Sequence, residues 1–273
     1  MSEKIFEIFE KKLQSLKEAN LYRSVKDVEA VKDMKIIIDG REFINFASND
    51  YLGLSKNPAV KEASTEATKI FGTGAGASRL LCGGTELHKK LEELLCEFKE
   101  TEACILLNSG YTANTSLIPA LTDENDIILS DELNHASIID GCRLSRARKI
   151  IYKHADIEEI KKLVKITPCK GKKIIISDTV FSMDGDIAPL KEIFEICKSE
   201  NALLYIDDAH GTGVLGEGYG ALKHFKLKPE NFVIQMGTFS KAIGSFGAFL
   251  CGAKILIEWL VNSARGFIFS TAL

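Results

Sequence analysis

From Ala103 onward, short unbroken apolar runs alternate with amphipathic stretches, and this alternation limits the possible folds more than any other feature. The runs are Ala103–Leu107, Ile127–Leu129, Lys149–Tyr152, Lys173–Ser177, Ala202–Ile206 and Phe232–Met236. Runs this short that are apolar on both faces are what parallel strands need when helices cover both sides of a sheet. With helical spacing between most of them, the predicted fold is α/β, a mostly parallel, doubly wound sheet. No internal repeat or low-complexity segment interrupts it.

Upstream, Ile5, Phe6, Ile8, Phe9, Leu13 and Leu16 form one helical stripe. Lys35–Ile38 and Phe43–Phe46 flank Asp39-Gly40-Arg41 as a hairpin. Residues 1–45 therefore read as an N-terminal helix and hairpin segment, and residues 46–273 as the large domain. Within that domain a glycine-rich loop, Gly72 to Arg79, leads to Thr85. Thr85 is suited to N-cap a helix that turns Leu87, Leu91, Leu94 or Leu95, and Phe98 to a core.

The formal net charge of −3 and the pI near 6.0 speak against nucleic acid or an anionic membrane as a partner. Arg143–Lys153, the most basic stretch, reads as a helix end running into a strand. Seven cysteines, an odd number with no Cys-x-x-Cys pair, fit small apolar side chains in a reducing cytoplasm better than disulfides or zinc. Residues 1–17 lack the apolar core of a secretory signal. The stretch Phe246–Val261 is broken by Lys254 and Glu258 and is too short to span a bilayer. No metal site is expected: Ser182-Met-Asp-Gly-Asp186 lacks the remaining ligands of a calcium loop.

The residues just beyond each strand carry the chemistry. Leu107 leads into Asn-Ser-Gly110-Tyr111, and Leu129 into Ser-Asp-Glu-Leu-Asn-His135. Ser177 opens the segment to Ser182 and Asp186, Ile206 leads to Asp207-Asp-Ala-His210, and Met236 to Gly-Thr238-Phe-Ser-Lys241. Ligands of parallel α/β sheets bind beyond the carboxyl ends of the strands, so these five ends are expected to share one crevice. Lys241, in a loop of small residues, can form a Schiff base with a carbonyl, the entry to pyridoxal-phosphate chemistry. Asp207 suits a pyridinium nitrogen. The N–H groups at Gly110 and Tyr111 open a helix and suit a phosphate, with hydroxyls from Thr238 and Ser182. His135 can lie on the ring and His210 can reach its hydroxyl, while His88, His154 and His224 read as structural. Alone, Lys241 reads as a solvated side chain and Asp207-Asp208 as a helix cap or turn. It is the combination that points to a cofactor site.

These motifs resemble the α-oxoamine synthases, a family of fold-type-I pyridoxal 5'-phosphate enzymes. The resemblance runs from Asn45–Leu54 through Asn134–Gly141, Phe181–Asp186, Asp207–Gly213 and Gly237–Lys241 to Phe267–Leu273. It implies that Lys241 carries the cofactor, Asp207 pairs with the ring nitrogen, His135 stacks on the ring and His210 meets its hydroxyl. Gly110, Tyr111, Ser182 and Thr238 would hold the phosphate end. Thr271 would reach the phosphate of a neighbouring subunit in a homodimer, and Arg23 would meet the acyl-CoA substrate. The implied reaction is a decarboxylating condensation of an amino acid with an acyl-CoA.

Arg265–Leu273 and Asp131–Ser145 look most like the member that joins L-alanine to pimeloyl-CoA in biotin synthesis. Ser78–Gly84 is also similar to the glycine-using member that makes 2-amino-3-ketobutyrate, and the ending is close to the one that makes 5-aminolevulinate. Family members continue past the position of Leu273 into a C-terminal domain that carries the arginine for the amino-acid carboxylate. A non-catalytic fragment is therefore the expectation of another class, with an exposed apolar surface and low solubility.

Overall fold

The computed structural model describes residues 2–32 and 34–273, and they divide into two compact units, 1–48 and 49–273. In the first unit, helix α1 (Ser2–Glu18) precedes a three-stranded antiparallel sheet of β1 (Ala30–Lys32), β2 (Lys35–Ile38) and β3 (Arg41–Ile44). The apolar stripe of α1 is exposed along its length. The hairpin is tighter than the predicted Phe43–Phe46 pairing, because Ile38 pairs directly with Arg41. Asp39 and Gly40 both have positive φ, 51° and 69°. Such a two-residue turn matches the strand twist and starts the second strand at Arg41. β1 was not anticipated.

The second unit opens with α2 (Pro58–Phe71), which Asn57 caps through its side chain, and α3 (Glu86–Lys99). Thr85 caps α3 as predicted, and His88 Nδ1 accepts the Thr85 N–H in return at 3.1 Å. Of the two leucines offered for its core face, Leu95 is buried and Leu94 exposed; Leu87 is also exposed. Then come β4 (Ala103–Leu107), α4 (Gly110–Leu121), β5 (Ile127–Asp131), α5 (Ala136–Leu144), β6 (Arg148–Tyr152), α6 (Ile157–Ile166) and β7 (Lys173–Asp178). They are followed by α7 (Leu190–Ser199), β8 (Leu203–Asp207), α8 (Ala221–His224), β9 (Val233–Thr238), β10 (Ala248–Gly252), α9 (Lys254–Ser263) and α10 (Arg265–Ile268).

Seven strands form one sheet in the order β4-β10-β9-β8-β7-β5-β6, parallel except for β10. Alternate residues of each strand enter opposite cores. Ile128, Ile174, Ile176 and Tyr205 pack with Leu117, Ile118, Ile138 and Leu260 of α4, α5 and α9. Ile127, Leu129, Ile175, Leu204 and Ile206 pack with Ile160, Val164, Ile193 and Phe194 of α6 and α7. Each such side chain contributes about 1.5–3 kcal/mol by leaving water, which is why both strand faces must be apolar.

Three sequence readings are corrected. β10 lies inside the stretch 246–261, whose apolar character on both sides of Lys254 hid a five-residue strand ahead of α9. β5, β7, β8 and β9 run on to Asp131, Asp178, Asp207 and Thr238, beyond the apolar runs, because the ladder tolerates polar residues where the crevice begins. Cys82 is exposed and Cys96 and Cys169 half-buried, rather than all seven cysteines being core.

Candidate active site

The carboxyl edge of the sheet collects the residues singled out from the sequence. β7 and β8 are paired so that Asp178 stands beside Asp207, both nearly fully buried. Asp207 Oδ2 accepts from Asn114 Nδ2 at 2.7 Å, and Oδ1 accepts from the Ala209 N–H at 3.1 Å. Burial pushes the Asp207 carboxyl above the usual range, opposed by Asn114, the Lys241 ammonium and the Ala209 N–H. Burial likewise pushes Asp178 well up, and the charge of Asp207 beside it adds to the effect. Two adjacent buried carboxyls with this little compensation form a site waiting for positive charge.

That charge comes first from Lys241, in the loop after β9. Its amine is held below the ordinary lysine range by burial, against the pull of Asp207 and Asp178. Lys241 Nζ lies 2.7 Å from His210 Nε2, and His210 Nδ1 lies 2.7 Å from the Tyr51 hydroxyl. The hydroxyl in turn donates to Asn49 Oδ1 at 3.1 Å. Burial, with Lys241 and His135 nearby, lowers His210 to about 4, so it is neutral at physiological pH. Neutral His210 accepts from Lys241 on Nε2 and donates from Nδ1 to Tyr51.

His135 caps α5 through Nδ1, which meets the Ser137 N–H at 3.2 Å and the Ser137 hydroxyl at 2.7 Å. Its backbone N–H donates to Asp178 Oδ2 at 2.7 Å. Gly110 opens α4 beside Thr238: a Cβ on Gly110 would lie 3.9 Å from that of Thr238. Among the described residues the N–H groups of Gly110 and Tyr111 make no backbone hydrogen bond, so the positive end of α4 is free for an anion.

The side chains of the other candidate residues are placed as follows. Tyr111 directs its hydroxyl to Asp140, and the Thr238 hydroxyl donates to the Gly247 carbonyl at 2.8 Å. Ser182 is exposed in the turn after Phe181. Thr271 is exposed, with its carbonyl accepting from Asn108 Nδ2 at 2.9 Å. Arg23 is exposed in the N-terminal unit. Among the described residues no group of three or more His, Cys, Asp or Glu is placed to hold a metal, and no helix is long and apolar enough to cross a membrane.

Sequence reasoning missed Tyr51, Asn114, Ser137 and Asp178. Asn114 had left a signal, a polar residue on the stripe Asn114, Leu117, Ile118, Leu121 that α4 buries. Tyr51 and Ser137 lay inside the quoted segments Asn45–Leu54 and Asn134–Gly141 without being singled out, and Asp178 directly followed the predicted strand Lys173–Ser177.

The donor set fits pyridoxal phosphate: an amine of lowered basicity, a buried carboxylate for a cationic ring nitrogen, a neutral imidazole at the amine and a free helix terminus for phosphate. Comparison with known proteins agrees. Residues 41–273 match the family aminotransferase class I and II. A Thermodesulfovibrio yellowstonii protein, provisionally named an 8-amino-7-oxononanoate synthase, is 74% identical over all of this chain and 70% of its own length. The 8-amino-7-oxononanoate synthase of Thermoanaerobacter pseudethanolicus is 49% identical over 98% of this chain and 68% of its own. A serine palmitoyltransferase from S. paucimobilis, solved with a bound PLP–myriocin aldimine, superposes with a TM-score of 0.90 at 30% identity, covering 99% of this chain and 68% of that one. The chain belongs to the aminotransferase class I and II family and, within it, to the α-oxoamine synthase branch of acyltransferases, whose cofactor is pyridoxal 5'-phosphate.

Proposed function

We propose that the chain catalyses the decarboxylating condensation of L-alanine with pimeloyl-CoA to 8-amino-7-oxononanoate, a step of biotin synthesis. The observation that carries this reading is the meeting of Lys241 and His210 with buried Asp207 at the carboxyl edge of the sheet. The substrate pair is supported by the names of the relatives at 74% and 49% identity, against 30% for the serine palmitoyltransferase.

Bound pyridoxal phosphate supplies an electron sink for the charge that develops at the amino-acid Cα. The rest is done by side chains. Lys241 would hold the cofactor covalently and, once released, take the Cα proton on Nζ, a task helped by its lowered basicity. Asp207 would hold a proton on the ring nitrogen, His135 would cover one ring face, and His210 would meet the ring hydroxyl. Gly110, Tyr111, Ser182 and Thr238 would bind the phosphate end. Thr271 would reach the phosphate in the partner subunit of a homodimer, and Arg23 the acyl-CoA. We place the cofactor domain at residues 46–273, preceded in sequence by an N-terminal segment of residues 1–45, and the enzyme in the cytoplasm.

The test is mass spectrometry of products from the chain with pyridoxal phosphate and three substrate pairs: L-alanine with pimeloyl-CoA, glycine with acetyl-CoA and glycine with succinyl-CoA. Expected is 8-amino-7-oxononanoate from the first pair, and in Lys241→Ala neither product nor cofactor that borohydride can fix covalently to the chain. A glycine-derived product in its place overturns the substrate assignment. Retained cofactor with no product from any pair reduces the chain to a binding unit.

A further inference from the structure

Asn114 has no exposed surface, and every hydrogen-bonding atom of its amide is engaged. The Tyr205 hydroxyl donates to Oδ1 at 2.7 Å. Nδ2 spends its two protons on Asp207 Oδ2 at 2.7 Å and Ser137 Oγ at 2.9 Å. A carboxylate only accepts, so the nitrogen must face Asp207 and the oxygen Tyr205. Having accepted from Asn114, the Ser137 hydroxyl keeps its own proton for His135 Nδ1, 2.7 Å away. The Ser137 N–H converges on the same nitrogen, so Nδ1 is the accepting atom and the ring N–H is at Nε2.

The backbone is shaped for this link. A Cβ on Gly141 of α5 would lie 2.4 Å from the Asn114 carbonyl oxygen, so only glycine there lets α5 approach α4 closely enough for Ser137 to meet Asn114.

We propose that Asn114 is a positioning residue that sets two cofactor-facing groups at once, the direction of the Asp207 carboxylate and, through Ser137, the tautomer of His135. The inference rests on the cofactor roles proposed for Asp207 and His135. It adds that one buried amide keeps them in step. A lone carboxylate in this crevice could swing toward Lys241. With Asn114 on Oδ2 and the Ala209 N–H on Oδ1, its plane is fixed before any ligand arrives.

The test uses two nuclear magnetic resonance readouts on wild type, Asn114→Leu, Asn114→Ser, Ser137→Ala and Asp207→Asn. The ¹⁵N shift of the pyridine nitrogen in protein loaded with labelled pyridoxal phosphate reports Asp207. The ring ¹⁵N shifts of His135 in cofactor-free protein report its tautomer. Both Asn114 variants should move both signals and weaken cofactor binding roughly tenfold, the cost of losing a bond to a charged group. Ser137→Ala should move the histidine signal alone. If Asn114→Leu does not fold, the smaller and polar Asn114→Ser carries the test. Wild-type shifts in a folded Asn114 variant, alongside a moved pyridine signal in Asp207→Asn, overturn the inference and leave the function standing. An unmoved pyridine signal in Asp207→Asn would instead refute the role given to Asp207.

Discussion

Lys99→Met should cost about 3 kcal/mol of stability, at the lower end of the 3–5 kcal/mol typical when one partner of a buried ion pair is removed. Lys99 Nζ lies 3.0 Å from Asp208 Oδ2, both side chains being 1% exposed, and it also donates to Thr212 Oγ1 and the Tyr219 carbonyl, each at 2.8 Å. Methionine keeps most of the packing against Phe98 and Phe249, over which the ammonium sits. What is lost is the charge that compensates Asp208. Its carboxylate still has donors in Thr179 Oγ1 at 2.7 Å, Thr212 Oγ1 at 2.9 Å and the Ala221 N–H at 3.2 Å, which is why the lower figure applies. For a chain of this size the change corresponds to a fall of about 6–12 °C in Tm. Thermal and urea unfolding of Lys99→Met, Asp208→Asn and the double variant measure it. Since Asp208→Asn removes the stranded charge, the double variant should lose less than the sum of the two singles. Strict additivity, or a single-variant loss below about 1 kcal/mol as for an exposed pair, would refute the argument.

Two further outcomes rest on geometry of the same kind. Gly220→Ala should lower Tm at least as far, because φ is +109° and a Cβ would lie 2.0 Å from Asp208 Oδ2 and 2.7 Å from Lys99 Nζ; an unchanged melting curve would show that the pair is not closed over. His154 is held between Asp131 Oδ1 at 3.0 Å and Asp186 Oδ2 at 2.8 Å. Burial opposes its charge, but the bonds to the two carboxylates outweigh it and raise its pKa above the ordinary 6.5. The stability it contributes is therefore complete below 6.5 and is lost as pH rises through the raised value. Melting curves taken from below 6.5 upward should show this decline in wild type and a flatter profile in His154→Gln; parallel profiles would exclude it.

The doubly wound sheet was legible because its strands are apolar on both faces, a pattern few other folds require. The five strand ends were legible as well, since polar residues directly after apolar runs mark the carboxyl edge. Two kinds of feature stayed hidden. β10 could not be separated from α9, because hydrophobicity marks burial and Ala248 to Val261 is buried or half-buried in large part as strand and then helix. Tyr51 and Lys99 reach their partners across 159 and 109 residues of sequence, distances at which no local spacing rule operates. Asn114 lies between these cases: a polar residue on an apolar stripe announces a buried partner without saying which one.

Asp178, Asp207 and Asp208 place three buried carboxyls on two neighbouring strand ends, an arrangement that costs stability unless each is answered. Asp208 is answered within the chain by Lys99 and three neutral donors, and no ligand is needed to complete it. Among the described residues Asp207 takes hydrogen bonds from an amide and one backbone N–H, and the Lys241 charge acts on it only from a distance, its amine being engaged at His210. The same turn thus carries one acid satisfied by the fold and one left incomplete. That difference separates a structural acid from a ligand-binding one more firmly than their adjacency in sequence could. A cationic ring nitrogen at Asp207 would supply what the fold withholds, so cofactor binding and folding stability should rise together.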